Sequence, residues 1–224
     1  MPRSTTMTEK DLISALTGMI LGDANLHRTK GSKNALLRIN HSIKQENYLL
    51  WKSKIIKEIT SFKIVPYKTN LNGKDIEMVN LYTKCHPYFT RLRENFYWQG
   101  RKSVDAFIMK RLTPIGLAIW IMDDGNNNNE NIRLATYNFN EAEHWLMKYW
   151  IEKNFNIKVA IRKLRNYYFL EFTQKNAREV LKICEPFIFK ELRYKFPSDV
   201  NPPKLLRDKT TGQFSKWIRG GDIV

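Results

Sequence analysis

Apolar and polar positions along this chain change period several times, and the changes come in the same order twice. The first pass opens on "LISALTGMILGDANL", an apolar run with Ala15, Gly18 and Gly22 at spacings of three and four. Such a stripe of small residues lets a second backbone come close. The pass continues through "ALLRINHS", "QENYLLWKSKIIKEI", "FKIVPYK" and "IEMVNLYT" to "HPYFTRLRENF". The second pass opens on "LTPIGLAIWIMDDGN" and runs through "NIRLATYNF", "EAEHWLMKYWIEKNF", "IKVAIRK" and "YYFLEFT" to "AREVLKICEPF". Each pass predicts helix, two strands, helix, two strands, helix. The expected fold class is α/β (α+β), with pseudo-symmetric αββαββα subdomains at 8–105 and 106–200. A tail at 201–224 breaks at Pro202-Pro203 and has no counterpart in the first pass.

The middle helices carry apolar stripes (Tyr48, Leu49, Trp51, Ile55, Ile56, Ile59; Trp145, Leu146, Tyr149, Trp150) that suit packing on a sheet. The strands alternate apolar with polar or basic residues, as half-buried antiparallel sheets do. Net charge is +16, from 38 Lys and Arg against 22 Asp and Glu. It is spread along the chain: +11 up to Arg111 (20 basic, 9 acidic) and +5 beyond it (18 basic, 13 acidic). A basic excess built into the fold points to a polyanion, nucleic acid before an anionic membrane. A two-stranded β-ribbon fits the DNA major groove. Arg38, Asn40, Lys68, Lys158, Arg162 and Lys163 are therefore candidate DNA contacts, and "NNNN" (Asn126–Asn129) is read as a polar loop.

The stretch "LAIWIMDDG" (Leu117–Gly125) poses a chemical problem. Gly125 reads as a helix stop in the left-handed conformation. Asp123 and Asp124 then sit at a helix C-terminus, where the backbone is already partly negative. Aligning "LTGMILGDA" (Leu16–Ala24) with it without a gap places Asp23 opposite Asp124. Two such helices packed about a pseudo-twofold axis deliver two carboxylates to one spot. Divalent cations resolve the repulsion, because Mg²⁺ takes carboxylate and phosphate oxygens and supports phosphodiester hydrolysis.

The paired motifs resemble those of the LAGLIDADG homing endonucleases in their single-chain, two-motif form. Leu21 and Ala24 depart from the motif's first Asp and final Gly, and Ile119 stands where a small residue is usual. The resemblance implies a β-saddle over the major groove and metal-dependent double-strand cleavage of a long asymmetric site. Asp23 and Asp124 inherit the metal-ligand role, with the backbone carbonyls of Gly22 and Asp123 as further oxygen ligands. The Asp123 side chain is expected to act as a cap or outer-shell acceptor. Basic residues that steady the phosphate are expected just past each repeat: Lys102 or Arg101 in "WQGRKSV", Lys195 in "LRYKFPS". The expected cofactor is Mg²⁺, with Mn²⁺ able to substitute, and the expected partner is double-stranded DNA bound by a monomer.

Two rivals share this scaffold: a maturase that binds intron RNA, and a DNA-binding regulator without catalysis. The duplicated acid favours cleavage over both. The four His (His27, His41, His86, His144) show no paired ligand spacing, and His41 is read as structural. The start "MPRSTTMTEK" has no apolar core of a secretory signal. The longest apolar run, Ile115–Met122, is far too short for a bilayer. Cys85 and Cys184 suit a reduced compartment. An intracellular protein is expected, organellar or prokaryotic and not secreted.

Overall fold

A computed structural model describes residues 7–198 in full and, beyond them, only the backbone of strands at 204–207, 214–219 and 222–223. The first half runs α1 (Glu9–Leu21), β1 (Ala24–His27), β2 (Leu36–Ser42), α2 (Glu46–Ile56), β3 (Phe62–Leu71), β4 (Lys74–Thr83) and α3 (Pro87–Phe96). A small hairpin, β5 (Tyr97–Trp98) and β6 (Arg101–Lys102), and a short α4 (Ala106–Met109) lead to the second half. There α5 (Pro114–Asp124), β7 (Gly125–Asn128), β8 (Asn131–Leu134), α6 (Glu141–Phe155), β9 (Ala160–Leu164), β10 (Tyr167–Phe172) and α7 (Gln174–Cys184) repeat the order. Each half holds an antiparallel sheet, β1-β2-β4-β3 and β7-β8-β10-β9. Strands β11 (Lys204–Arg207), β12 (Phe214–Arg219) and β13 (Asp222–Ile223) pair with one another, and the tail's contacts lie outside the described residues.

Helix starts follow local chemistry. Thr8 caps α1 by accepting from the Asp11 amide, Pro114 occupies the first turn of α5, and Asn140 with Glu143 closes a capping box on α6. Residues 14–21 of α1 and 115–122 of α5 are all buried, so these two helices form the central spine. Their close approach needs glycine. A Cβ on Gly18 would lie 2.1 Å from the Gly116 carbonyl oxygen, and one on Gly116 would lie 2.3 Å from the Ser14 carbonyl. Ser14 also accepts from the Thr113 amide at 2.8 Å, tying the start of α5 to α1.

Two expectations need correction. Asn126, Asn127 and Asn128 form β7 rather than a loop, paired with β8 through Asn126↔Arg133 and Asn128↔Asn131. Only Asn129 turns, at φ 51°, with Glu130 following at φ 67°; this is a two-residue hairpin in which Asn tolerates the left-handed backbone. Gly125 is not left-handed either: at φ −85° and ψ 155° it is extended and begins β7. Glycine is required there because a Cβ would meet the Ile121 carbonyl oxygen at 2.5 Å.

Candidate active site

Both spine helices run straight into a strand, and that junction is where each acid is set. Asp23 lies between α1 and β1, and Asp124 is the last residue of α5 before β7. The Asp23 carboxyl is near enough to oppose the ionisation of Asp124. Burial first, then Asp123, pushes the Asp23 carboxyl up to about 6, against the pull of Lys52, Lys195 and Lys102. Burial, then Asp23 and Asp123, pushes Asp124 up to about 7, with Lys102 and Lys195 opposing. Both acids hold protons more tightly than solvent-exposed carboxylates because charge is crowded in a desolvated place.

Lysines arrive at this spot from both halves. Lys102, on β6, donates to the carbonyls of Gly22 and Ala24, both at 3.2 Å. Lys195 donates to the carbonyls of Met122 and Asp123, the latter at 2.8 Å. The two contacts are pseudo-symmetric, because Gly22 and Asp123 each immediately precede an acid. Desolvation lowers both lysines' affinity for the proton, and the neighbouring acids partly restore it. Arg101 does not join them. On a strand adjacent residues point to opposite sides, and the Arg101 guanidinium pairs instead with Glu143 on α6 at 3.0 Å.

The Asp123 side chain does more than cap. Its Oδ2 accepts from the Asp23 amide at 3.2 Å, so it crosses from α5 to the end of α1. Its Oδ1 accepts from the Tyr48 hydroxyl at 2.8 Å and the Lys52 ammonium at 2.6 Å, and both charged side chains of that pair are fully buried. Lys52 also reaches His41 Nε2 at 3.1 Å, while His41 Nδ1 faces Gln45 Oε1 at 3.1 Å and Asp23 Oδ2 at 3.6 Å. His41 thus belongs to the site rather than only to the core. Burial, then the Lys52 charge, drops its pKa to about 4, so it is neutral near pH 7.

The model of the LAGLIDADG DNA endonuclease family matches residues 13–180, which include both acids and both sheets. The chain belongs to this family. It is 26% identical over 193 residues to the cytochrome b mRNA maturase bI2 of Debaryomyces hansenii, covering 84% of this chain and 74% of that protein. The chain spans 47% of the Saccharomyces cerevisiae protein of the same name. It is 29% identical over 135 residues to the intron-encoded endonuclease ai4 of Dictyostelium discoideum, over 59% of this chain and 85% of that one. Among solved structures, the homing endonuclease I-WcaI bound to its DNA recognition sequence shares the fold, with TM-score 0.77 and 23% identity over 89% of this chain and 96% of that one.

Around the LAGLIDADG motifs, the sheets turn one face to the helices and leave one open. On β2, Leu37, Ile39 and His41 are buried, so Arg38 and Asn40 lie on the open face beside Tyr82 and Asn80 of β4. Arg162 of β9 shares the second sheet's open face with Arg133 of β8, and both grip Glu171 of β10. The other three candidate contacts are placed elsewhere. Lys68 has the parity of Phe62 and Ile64, which pack on the core, and pairs with Glu77. Lys163 lies over the Tyr168 ring, whose hydroxyl bonds Glu141 of α6, and Lys158 pairs with Glu152 of α6. Strand alternation explains the split: Arg162 and Lys163 are neighbours and cannot share a face.

Lys52 and Tyr48 were not legible as site residues. One signal was present: the apolar stripe of α2 (Tyr48, Leu49, Ile55, Ile56) is interrupted at Lys52, where α6 has Met147.

Proposed function

We propose that the chain is a homing endonuclease that makes metal-dependent double-strand breaks in a long asymmetric DNA target. The observation that carries this reading is the convergence of Asp23 and Asp124, from two helices in glycine-mediated contact, with Lys102 and Lys195 at their backbones. The donor set fits hard divalent cations, since the acids and adjoining carbonyls are all oxygen and the crowded carboxyls gain when cations take up their charge. Asp23 and Asp124 would hold Mg²⁺ or Mn²⁺, with the Gly22 and Asp123 carbonyls as further oxygens. Bound there, the ion supplies charge neutralisation and an activated water. The chain's own groups do the rest. Lys102 and Lys195 stand ready to offset charge gathering on the phosphate, and their present carbonyl partners keep them in place. The open sheet faces bind the duplex, with Arg38 and Asn40 in one half and Arg133 and Arg162 in the other.

The units at 8–105 and 106–200 read one half-site each, and since their side chains differ the target is asymmetric. The protein works as a monomer because one chain carries both motifs. An intron-encoded, organellar origin fits relatives named for cytochrome b mRNA and for introns. Among the described residues no helix is long and apolar enough to cross a membrane.

The maturase names of two relatives favour a second reading, binding of intron RNA. RNA binding does not require two acids to be brought together, and here both are present. The test is to enrich a duplex from randomised DNA with the protein, then incubate it with Mg²⁺ or with EDTA. Double-strand breaks at a fixed position with Mg²⁺ and none with EDTA are expected. Tight binding without cleavage in any divalent metal, together with binding of structured intron RNA, overturns the endonuclease reading.

A further inference from the structure

The strand registers align the two halves residue by residue. Ala24 pairs with Ile39 in the first sheet and Gly125 with Leu134 in the second, so Ala24 matches Gly125 and Ile39 matches Leu134. His41 then matches Thr136, two residues on in each half. The middle helices start at Glu46 and Glu141, five residues later, and the seventh residue of each is Lys52 or Met147, both fully buried. Going back one residue from each acid, Gly22 matches Asp123. The two halves differ at both of these matched places, and the differences are joined: the acid that replaces glycine in the second motif pairs with the lysine that replaces methionine in the first half.

The fit is mutual. A Cβ on Gly22 would lie 2.4 Å from the Asp123 Cβ, so the first motif must be glycine for the second motif's acid to cross over. Asp123 then fixes the Asp23 amide. Lys52 bridges Asp123 and His41; it donates to His41 Nε2, while Nδ1 faces Gln45 Oε1 at 3.1 Å and Asp23 Oδ2 at 3.6 Å, so the neutral ring carries its proton on Nδ1. Asp23, His41 and Asp123 present ligand atoms within 4.8 Å of one another, yet the Lys52 ammonium already donates to two of the three. The chain thus places a cation of its own in that group. Tyr48 lies under the ammonium at 4.4 Å and stacks on Trp51, which keeps water from the pair.

Stability does not account for this arrangement. A buried ion pair is often no more stabilising than apolar residues of the same volume, and Met147 shows that the fold accepts an apolar residue at the matching place. In the second half Thr136 bonds His144 at 2.8 Å, and Gly22 has no side chain to send toward Asp124.

Resting on the endonuclease reading, we propose that Lys52 and Asp123 are a positioning pair for the Asp23 centre which the Asp124 centre lacks, so that the two DNA strands are cut under separate control. The pair sets Asp23 and His41 in place before DNA arrives, whereas among the described residues Asp124 has no matching pair.

The test uses the full chain with Lys52→Met, Asp123→Gly and the double variant. Each single variant leaves a buried charge without its partner and is expected to lose stability. The double variant gives the first half the second half's pattern and is expected to fold. On the enriched duplex with both 5′ ends labelled, single-turnover cleavage by the double variant is expected to slow by about tenfold or more on one strand, the scale of a lost hydrogen bond to a charged group. The other strand stays within twofold of wild type, and nicked DNA accumulates. Equal slowing of both strands, or of neither, overturns the proposal. Side-chain ¹⁵N NMR of His41 supplies a readout that needs no cleavage. In wild type His41 Nε2 is expected to show the shift of a nitrogen that accepts a hydrogen bond, and in the double variant that of a free nitrogen, while Gln45 keeps the proton on Nδ1 in both. An unchanged Nε2 shift overturns the positioning pair by itself, whereas a wild type that binds DNA but cuts neither strand overturns the endonuclease reading and strand control with it.

Discussion

Asp23 and Asp124 close two helices of similar sequence, and each has a lysine bonded to the carbonyl just before it. Beyond that the two surroundings diverge. Asp23 has Asp123 on its amide and His41 beside its carboxylate, with Lys52 buried behind them. The helix that contributes Asp124 gives its neighbouring acid away to the other half. The comparison separates what the geometry demands from what it leaves free. Close helix packing, an acid at each junction and a lysine at each carbonyl are held in both halves, while the support behind each acid has been built only once.

The largest effect is expected where the halves must stay alike. Gly18→Ala drives a Cβ into the Gly116 carbonyl at 2.1 Å, and neither buried helix has room to withdraw. It should cost about 3 kcal/mol or more in urea unfolding. Gly31→Ala, in open space at φ 83°, should cost only about 1 kcal/mol, from backbone strain. Equal losses would mean that the spine is not tightly packed at Gly18.

Next come the lysines. Lys102→Met and Lys195→Met should each slow cleavage by about a hundredfold, the scale of a lost donor to developing charge, and each mainly on one strand in end-labelled single-turnover assays. Loss on both strands alike would break the picture of two separate centres.

A smaller effect distinguishes the sheet faces. Arg38→Ala or Arg162→Ala should weaken duplex binding about tenfold and reduce the salt dependence by about one counterion, whereas Lys68→Ala and Lys163→Ala should do neither. Fluorescence anisotropy at several salt concentrations measures both. Equal losses for all four residues would place the DNA elsewhere.

The smallest effect is on stability and pH. The folded protein holds the Asp124 carboxyl at about 7, above the 3.8 of an unperturbed carboxyl. The stability linked to that proton is therefore complete below pH 3.8 and is lost as pH rises through about 7. Asn at 124 has no charge to bury, so in EDTA at pH 8 Asp124→Asn should be more stable than wild type by ~1 kcal/mol, after allowing for solvent at a half-buried site. The gain should vanish by pH 4, and a gain that grows toward low pH would contradict the crowding of the acids.

How much of this was legible in the sequence follows from what repeats and what does not. Helical periodicity and the gap-free match of the motifs placed α1, α5, Asp23 and Asp124, and the position just past each repeat pointed to Lys102 and Lys195. Strand β7 was hidden because Asn126–Asn128 lack apolar alternation, and only pairing with β8 draws them into the sheet. Arg101 and Lys102 could not be told apart without the hairpin, which sends one to Glu143 and the other to Gly22. Open-face positions were half legible: Arg38 and Asn40 were marked by the buried residues between and beside them, while Lys68 and Lys163 needed the parity of their strands. The Lys52–Asp123 pair joins residues 71 apart in sequence; the interrupted stripe of α2 marked Lys52, but nothing in the repeat named Asp123 as its partner.

The measurement that bears most directly on the account is strand-resolved cleavage of the selected duplex in Mg²⁺ by wild type, Asp23→Asn and Asp124→Asn. The account predicts that wild type cuts both strands, that each Asn variant loses double-strand breakage, and that both still bind with wild-type salt dependence. Double-strand breaks by either variant at the wild-type rate would contradict the pairing of the two acids as the centre of this protein.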